Sequence, residues 1–229
     1  MKSKFVNLLI ILLSATTFAQ GDFKQVKVDM DSIKKQVASE KSDYYYPNLL
    51  KRYNEFDPNL TNYEYRLIYY GFVFQDDYIK NQPDEYKMLE LAKNKEYEKV
   101  ITECRKILKK NPVSLRANNQ LGYAILKTEK EKGEWEKYRN RYYALRKAIM
   151  SSGDGLSPET AIKVIYVSDE YNIIRTYLEI KNIKRQSLVG ACDMFEVEES
   201  KYYKANKIYF DISSKLIGEQ ELLENKYNN

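Results

Sequence analysis

Asp154, Ser157 and Asp193 are the residues whose types most directly suggest chemistry. Two carboxyl groups can divide the work of general acid and of base or nucleophile, which would give a hydrolase that needs no imidazole. The loop Gly153-Asp154-Gly155 with Ser157 could present amides, a hydroxyl and a carboxylate to a cation or a sugar. Composition limits anything beyond this. The chain has no histidine, which removes the commonest general base and metal ligand, and with it imidazole triads and His-bearing zinc sites. Its two cysteines, Cys104 and Cys192, cannot form a thiolate metal cluster. Cys104 falls with Val100, Ile101, Ile107 and Leu108 on an apolar helix face and Cys192 lies in an apolar strand. Buried free thiols are therefore expected in preference to a disulfide, although export would permit one. Calcium needs more oxygen ligands than the 153–157 loop offers, no phosphate-binding glycine pattern is present, and Ser157 has no evident base. The expectation is no catalytic residue, no metal and no cofactor. Asp154 and Ser157 read first as turn builders, while Asp193 interrupts an apolar strand and must find a polar partner.

The elements that must position these residues begin with an amino terminus of export type. Lys2 and Lys4 precede an apolar run from Phe5 to Leu13, and small residues lead to Ala19. That run falls short of the ~20 residues needed to span a bilayer, so residues 1–19 are expected to be a removable signal peptide. Residues 20–152 then read as helical. Thr61-Asn62-Tyr63-Glu64 forms a capping box, and Tyr63, Leu67, Tyr70 and Phe74 recur at helical spacing. Further helices are expected over 84–93, 96–110, 113–129 and 133–150. Residues 153–229 change period. Residues 162–167 and 187–197 read as strands, a short helix begins at Ser168, and Ile208, Phe210 and Ile212 alternate with polar positions. The expected fold is α+β and mainly α, with a small three-stranded antiparallel sheet against the helices.

Residues 97–124 resemble the second helix of one tetratricopeptide unit running into the first helix of the next. Tyr97, Glu98 and Ile101, the turn Asn111-Pro112, Ala117, Leu121-Gly122 and Ala124 carry the likeness. Such domains receive extended peptides on a concave face, and the resemblance implies that Arg116, Asn119, Tyr123 and Lys127 project toward it. Their spacing of three, four and four makes one helical stripe. Arg116 and Lys127 would supply charge, Asn119 both a donor and an acceptor, and Tyr123 a covering ring. Taken together, residues 45–75, 151–161 and the run Ser187 to Asp193 resemble an uncharacterised family of exported Bacteroidota proteins, one of the domains of unknown function. That likeness implies a tetratricopeptide-like helical part, a small β part, and no catalytic residue to carry over.

Charge and composition agree with a binding role. Lys and Arg number 38 against 33 acids, an excess of five that loss of Lys2 and Lys4 would cut to three. The bases are mixed with Glu along the helices, not gathered on one face as in nucleic-acid binders. The 22 tyrosines read mostly as core residues and composition bias, the remainder as contact surface. The expected product is an exported, periplasmic or secreted, non-catalytic binding or assembly protein of the cell envelope. Its partner would be a protein or peptide, with no nucleic acid and no membrane insertion after signal cleavage. A carboxylate hydrolase and a purely structural accessory protein are the alternatives.

Overall fold

Residues 25–227, apart from Asp77 and Lys132, are described by a computed structural model; the expected signal segment lies outside them. Local caps set the first helix starts. α1 (Met30–Ala38) begins at Asp29, whose carboxylate accepts the Ser32 amide at 2.9 Å. α2 (Tyr46–Asn54) carries Pro47 in its first turn, where an amide would lack an intrahelical partner. α3 (Asn62–Gly71) opens on the expected capping box: Glu64 N–H donates to Thr61 Oγ1 at 3.2 Å and Thr61 N–H to Glu64 Oε2 at 2.7 Å. Arg52 of α2 reaches Asp57 at 2.7 Å and also Glu64, which fixes α2 against the start of α3. Short connections then fold α4 (Tyr86–Lys93), α5 (Tyr97–Lys110), α6 (Leu115–Thr128) and α7 (Glu134–Met150) into successive packed hairpins.

The remainder holds β1 (Ile162–Lys163), α8 (Val167–Asn172), β2 (Ile183–Val189), β3 (Cys192–Val197), β4 (Lys207–Asp211) and α9 (Ser213–Tyr227). α8 runs on into a π turn over Ile173–Tyr177. The expected three-stranded antiparallel sheet is corrected to a four-stranded mixed one, ordered β1-β4-β3-β2, with β1 parallel to β4. Residues 187–197 read as one strand because their apolar character is nearly continuous. Gly190, at φ +61°, folds that run back, so that Leu188 pairs with Asp193 and Val189 with Cys192.

Residues 162–166 are wholly buried, yet only two of them join the ladder. Interior tyrosines satisfy much of this segment's backbone. Tyr70 donates to Lys163 O at 3.1 Å, Tyr78 donates to Ile165 O, and Tyr69 Oη accepts from Ile165 N–H at 3.1 Å. The Tyr69 hydroxyl in turn donates to Asp169 at 2.6 Å. Apolar packing follows the same route: one core joins α1, α2, α3 and α7 to β1, β3, β4 and the π turn. A second gathers Met88, Val100, Cys104, Leu121 and Ile125 between α4, α5 and α6.

Tyr69→Phe leaves the ring in place and strands a buried amide and a buried carboxyl. It is expected to cost about 2 kcal/mol in urea unfolding, against less than about 0.5 kcal/mol for Tyr63→Phe, whose half-buried hydroxyl bonds only Gln36. Equal costs would show that the tyrosine ties contribute no more than surface bonds.

Candidate functional site

The helical stripe divides into a closed end and an open end. Arg116 is half-buried, donates to Glu85 Oε2 at 2.8 Å and to the Ser168 carbonyl at 3.3 Å, and so pins the start of α6 to α4 and α8. Ser114, the α6 cap, donates to the other Glu85 oxygen at 3.1 Å. Asn119 is half-buried beyond this cluster. Tyr123 is 48 % exposed, meets Tyr97 edge-on at 5.9 Å, and carries the Lys127 ammonium 5.3 Å above its ring.

The second group of candidates is drawn apart. Asp154 Oδ1 accepts from the Leu156 amide at 2.9 Å and from Thr160 Oγ1 at 2.5 Å. Ser157 caps the next turn by accepting from Thr160 N–H. Both are turn builders. Gly155 has the expected positive φ of +72°, but Gly153 does not. Gly153 is required for a different reason: a Cβ there would lie 2.3 Å from the Thr160 carbonyl. Asp193 lies on β3, 8 % exposed, and accepts from Gln186 at 3.0 Å across the hairpin; Gln186 in turn accepts from Tyr171.

Asp193 leads to a cluster that the sequence reading passed over. Asp169 and Glu170 stand in the first turn of α8, where acids commonly face solvent, yet both are buried. Burial pushes the Asp169 carboxyl up to about 7, against the opposing hydrogen bond from Tyr69. Burial, then the neighbouring Asp193 and Asp169 charges, pushes Glu170 up to about 9. Both Glu170 oxygens are buried without a hydrogen-bond partner among the described residues, a setting that disfavours the charged form. Burial also raises Glu85, with Arg116 and Ser114 opposing. The signal that could have revealed this is the adjacency of Asp169 and Glu170 between two apolar runs, Val164 to Val167 and Ile173 to Ile174.

A second constellation joins Lys163, Asp211 and Ser213 beside a cleft of about 630 Å³. Lys163 Nζ donates to Ser213 Oγ at 2.8 Å and to Asp211. A serine beside a lysine invites a nucleophile–base reading, but this ammonium is engaged by a carboxylate in an ion pair. Burial alone would raise Asp211, and the Lys163 and Ser213 bonds hold it below the usual range. Cys104 and Cys192 are free and buried, and burial pushes the Cys104 thiol up to about 12. Among the described residues no group of three or more acids or cysteines could hold a metal ion.

Residues 31–221, running from α1 into α9 and including every strand and the acid cluster, match the family described as a domain of unknown function (DUF4919). The chain belongs to that family. Membership of an uncharacterised family, expected from the sequence, is thereby met. No curated protein and no solved structure matches the chain.

The acid cluster sets a pH dependence for this member of the family. Carboxyls whose folded pKa is raised stabilise the fold fully only below their unfolded value near ~4, and that contribution is lost as pH rises toward the folded value. The loss extends to about 7 for Asp169 and about 9 for Glu170. Asp57, Glu64 and Asp211 are lowered and act oppositely, losing their contribution as pH falls through the acid range. Stability is therefore expected to peak near pH ~5. Glu170→Gln, which cannot ionise, is expected to raise Tm at pH 8 by roughly 5 °C and to flatten the slope between pH ~7 and ~9. A slope identical to wild type would remove Glu170 as its source.

Proposed function

We propose that this is an exported, non-catalytic binding or assembly protein of the cell envelope that engages a protein or peptide on the open face of its helical hairpins. The amino-terminal Lys2, Lys4 and the apolar run to Leu13 support export. Among the described residues no helix is long and apolar enough to cross a membrane.

The observation that carries the binding reading is the exposed Tyr123–Lys127 pair, a ring and an ammonium with no carboxylate in ion-pair reach among the described residues. It offers a planar apolar surface and an unneutralised cation within one turn, which suits an acidic side chain or chain terminus set on an extended peptide. Leu126, 42 % exposed on the same helix, and Tyr86 and Leu89 of α4 add apolar surface in solvent. The arrangement of α4 to α7 fits two tetratricopeptide-like pairs. Gly122 supports that comparison, because a Cβ there would lie 3.0 Å from the Trp135 carbonyl, and its absence lets α6 and α7 approach closely. Arg116 takes a positioning role in this reading, tying α6 to Glu85 and leaving the contact to Asn119, Tyr123 and Lys127. The carboxylate-hydrolase alternative gains little support: Asp154 is engaged in its own turn, and Asp193 by Gln186 and the acid cluster.

Affinity capture from envelope extract should compare wild type with Tyr123→Ala/Lys127→Glu, two exposed changes expected to leave the melting curve unmoved. A partner held by wild type and lost by the folded variant is the expected result. Equal capture by both would remove this face as the site.

A further inference from the structure

At the far end of α5 from Tyr97, Arg141 of α7 carries a charge that is 6 % exposed and has no carboxylate in ion-pair reach among the described residues. Its guanidinium is held between the rings of Tyr53, at 4.1 Å, and Phe56, at 3.7 Å, and one donor is given to the Tyr53 carbonyl. Phe56 reaches this position with φ +58°, a backbone region that bulky side chains seldom enter. Buried charges are ordinarily paired, and a guanidinium offers five donors in a planar fork. Arg141 lines a recess of about 220 Å³. Arg105 and Lys109, one turn apart on α5, line it too, with Asn54 as a further donor and Tyr138 as an apolar wall. Glu131 neutralises Arg105 through bonds of 2.7 and 2.8 Å, whereas Lys109 forms no ion pair among the described residues. Among the described residues no acid lines the recess.

We propose that this recess binds a small organic carboxylate, with its charge on Arg141 and Lys109 and its apolar body against Phe56 and Tyr138. A planar fork matches a carboxylate in two parallel bonds, and the aromatic and leucine lining favours an anion with a hydrophobic body over a fully hydrated one. The recess is separate from the Tyr123–Lys127 face and does not depend on it.

The test is a titration of the ¹⁵N-labelled full chain, read at the arginine Nε–Hε signals, with benzoate and with inorganic phosphate as probes. Benzoate is expected to shift the Arg141 signal saturably in wild type. Lys109→Glu, on the exposed side of α5 and harmless to packing, is expected to weaken benzoate about tenfold or more. Arg141→Gln is expected to abolish binding, read from the remaining recess signals. No saturable shift in wild type, an unchanged affinity in Lys109→Glu, or phosphate binding more tightly than benzoate would each overturn the proposal.

Discussion

The polar backbone of residues 162–166 sits where water cannot reach it, and the placement of both halves of the chain follows from how that backbone is satisfied. A strand would normally obtain its partners from a neighbour, but β1 has only two residues in the ladder. Hydroxyl groups from α3 and from Tyr78 take over, aided by Ser152 Oγ, which accepts from Lys163 N–H, and by Asp211 O, which accepts from Val164 N–H. An unmet backbone group here would cost about 1–3 kcal/mol. These bonds therefore orient α3 against β1 and set where α8 can begin.

That arrangement explains what could be read from the sequence and what could not. Caps, turn residues and apolar periods are local, so Thr61–Glu64, the turn at Asn111-Pro112 and the alternation of β4 were legible in advance. The split of residues 187–197 was hidden because the apolar residues Leu188 and Val189 on one side of Gly190 and Met194 and Phe195 on the other read as one run, and a single glycine marks the reversal. The parallel seat of β1 beside β4 depends on partners some 48 residues apart in sequence, from Ile162 to Phe210, and no local pattern encodes it. Of the candidate residues, Arg116 and Asp193 were recognised as polar positions needing partners or ligands. Their partners, Glu85 and Gln186, lie on other elements, and spacing within one helix or strand cannot name them.

The interior also shows how charge is managed without histidine. Acids that meet a cation stay ionised, as Asp211 does beside Lys163 and Glu64 beside Arg52. Those set among tyrosines and other acids, Asp169 and Glu170, are moved toward the neutral form. Arginine is treated differently: Arg141 and Arg146 are stacked on aromatic rings, so the abundant tyrosines act both as hydrogen-bond donors to buried backbone and as platforms for cations.

The tyrosine ties have a consequence for the order in which the molecule is made. Tyr69, Tyr70 and Tyr78 wait for acceptors that lie 100, 93 and 87 residues downstream. While the chain is still emerging, α4 to α6 can close on one another through Met88, Cys104 and Leu121, but the core of α1 to α3 lacks the strands it shares, and contacts of such long sequence separation come late. Most of the polypeptide must be present before the first half acquires its final packing.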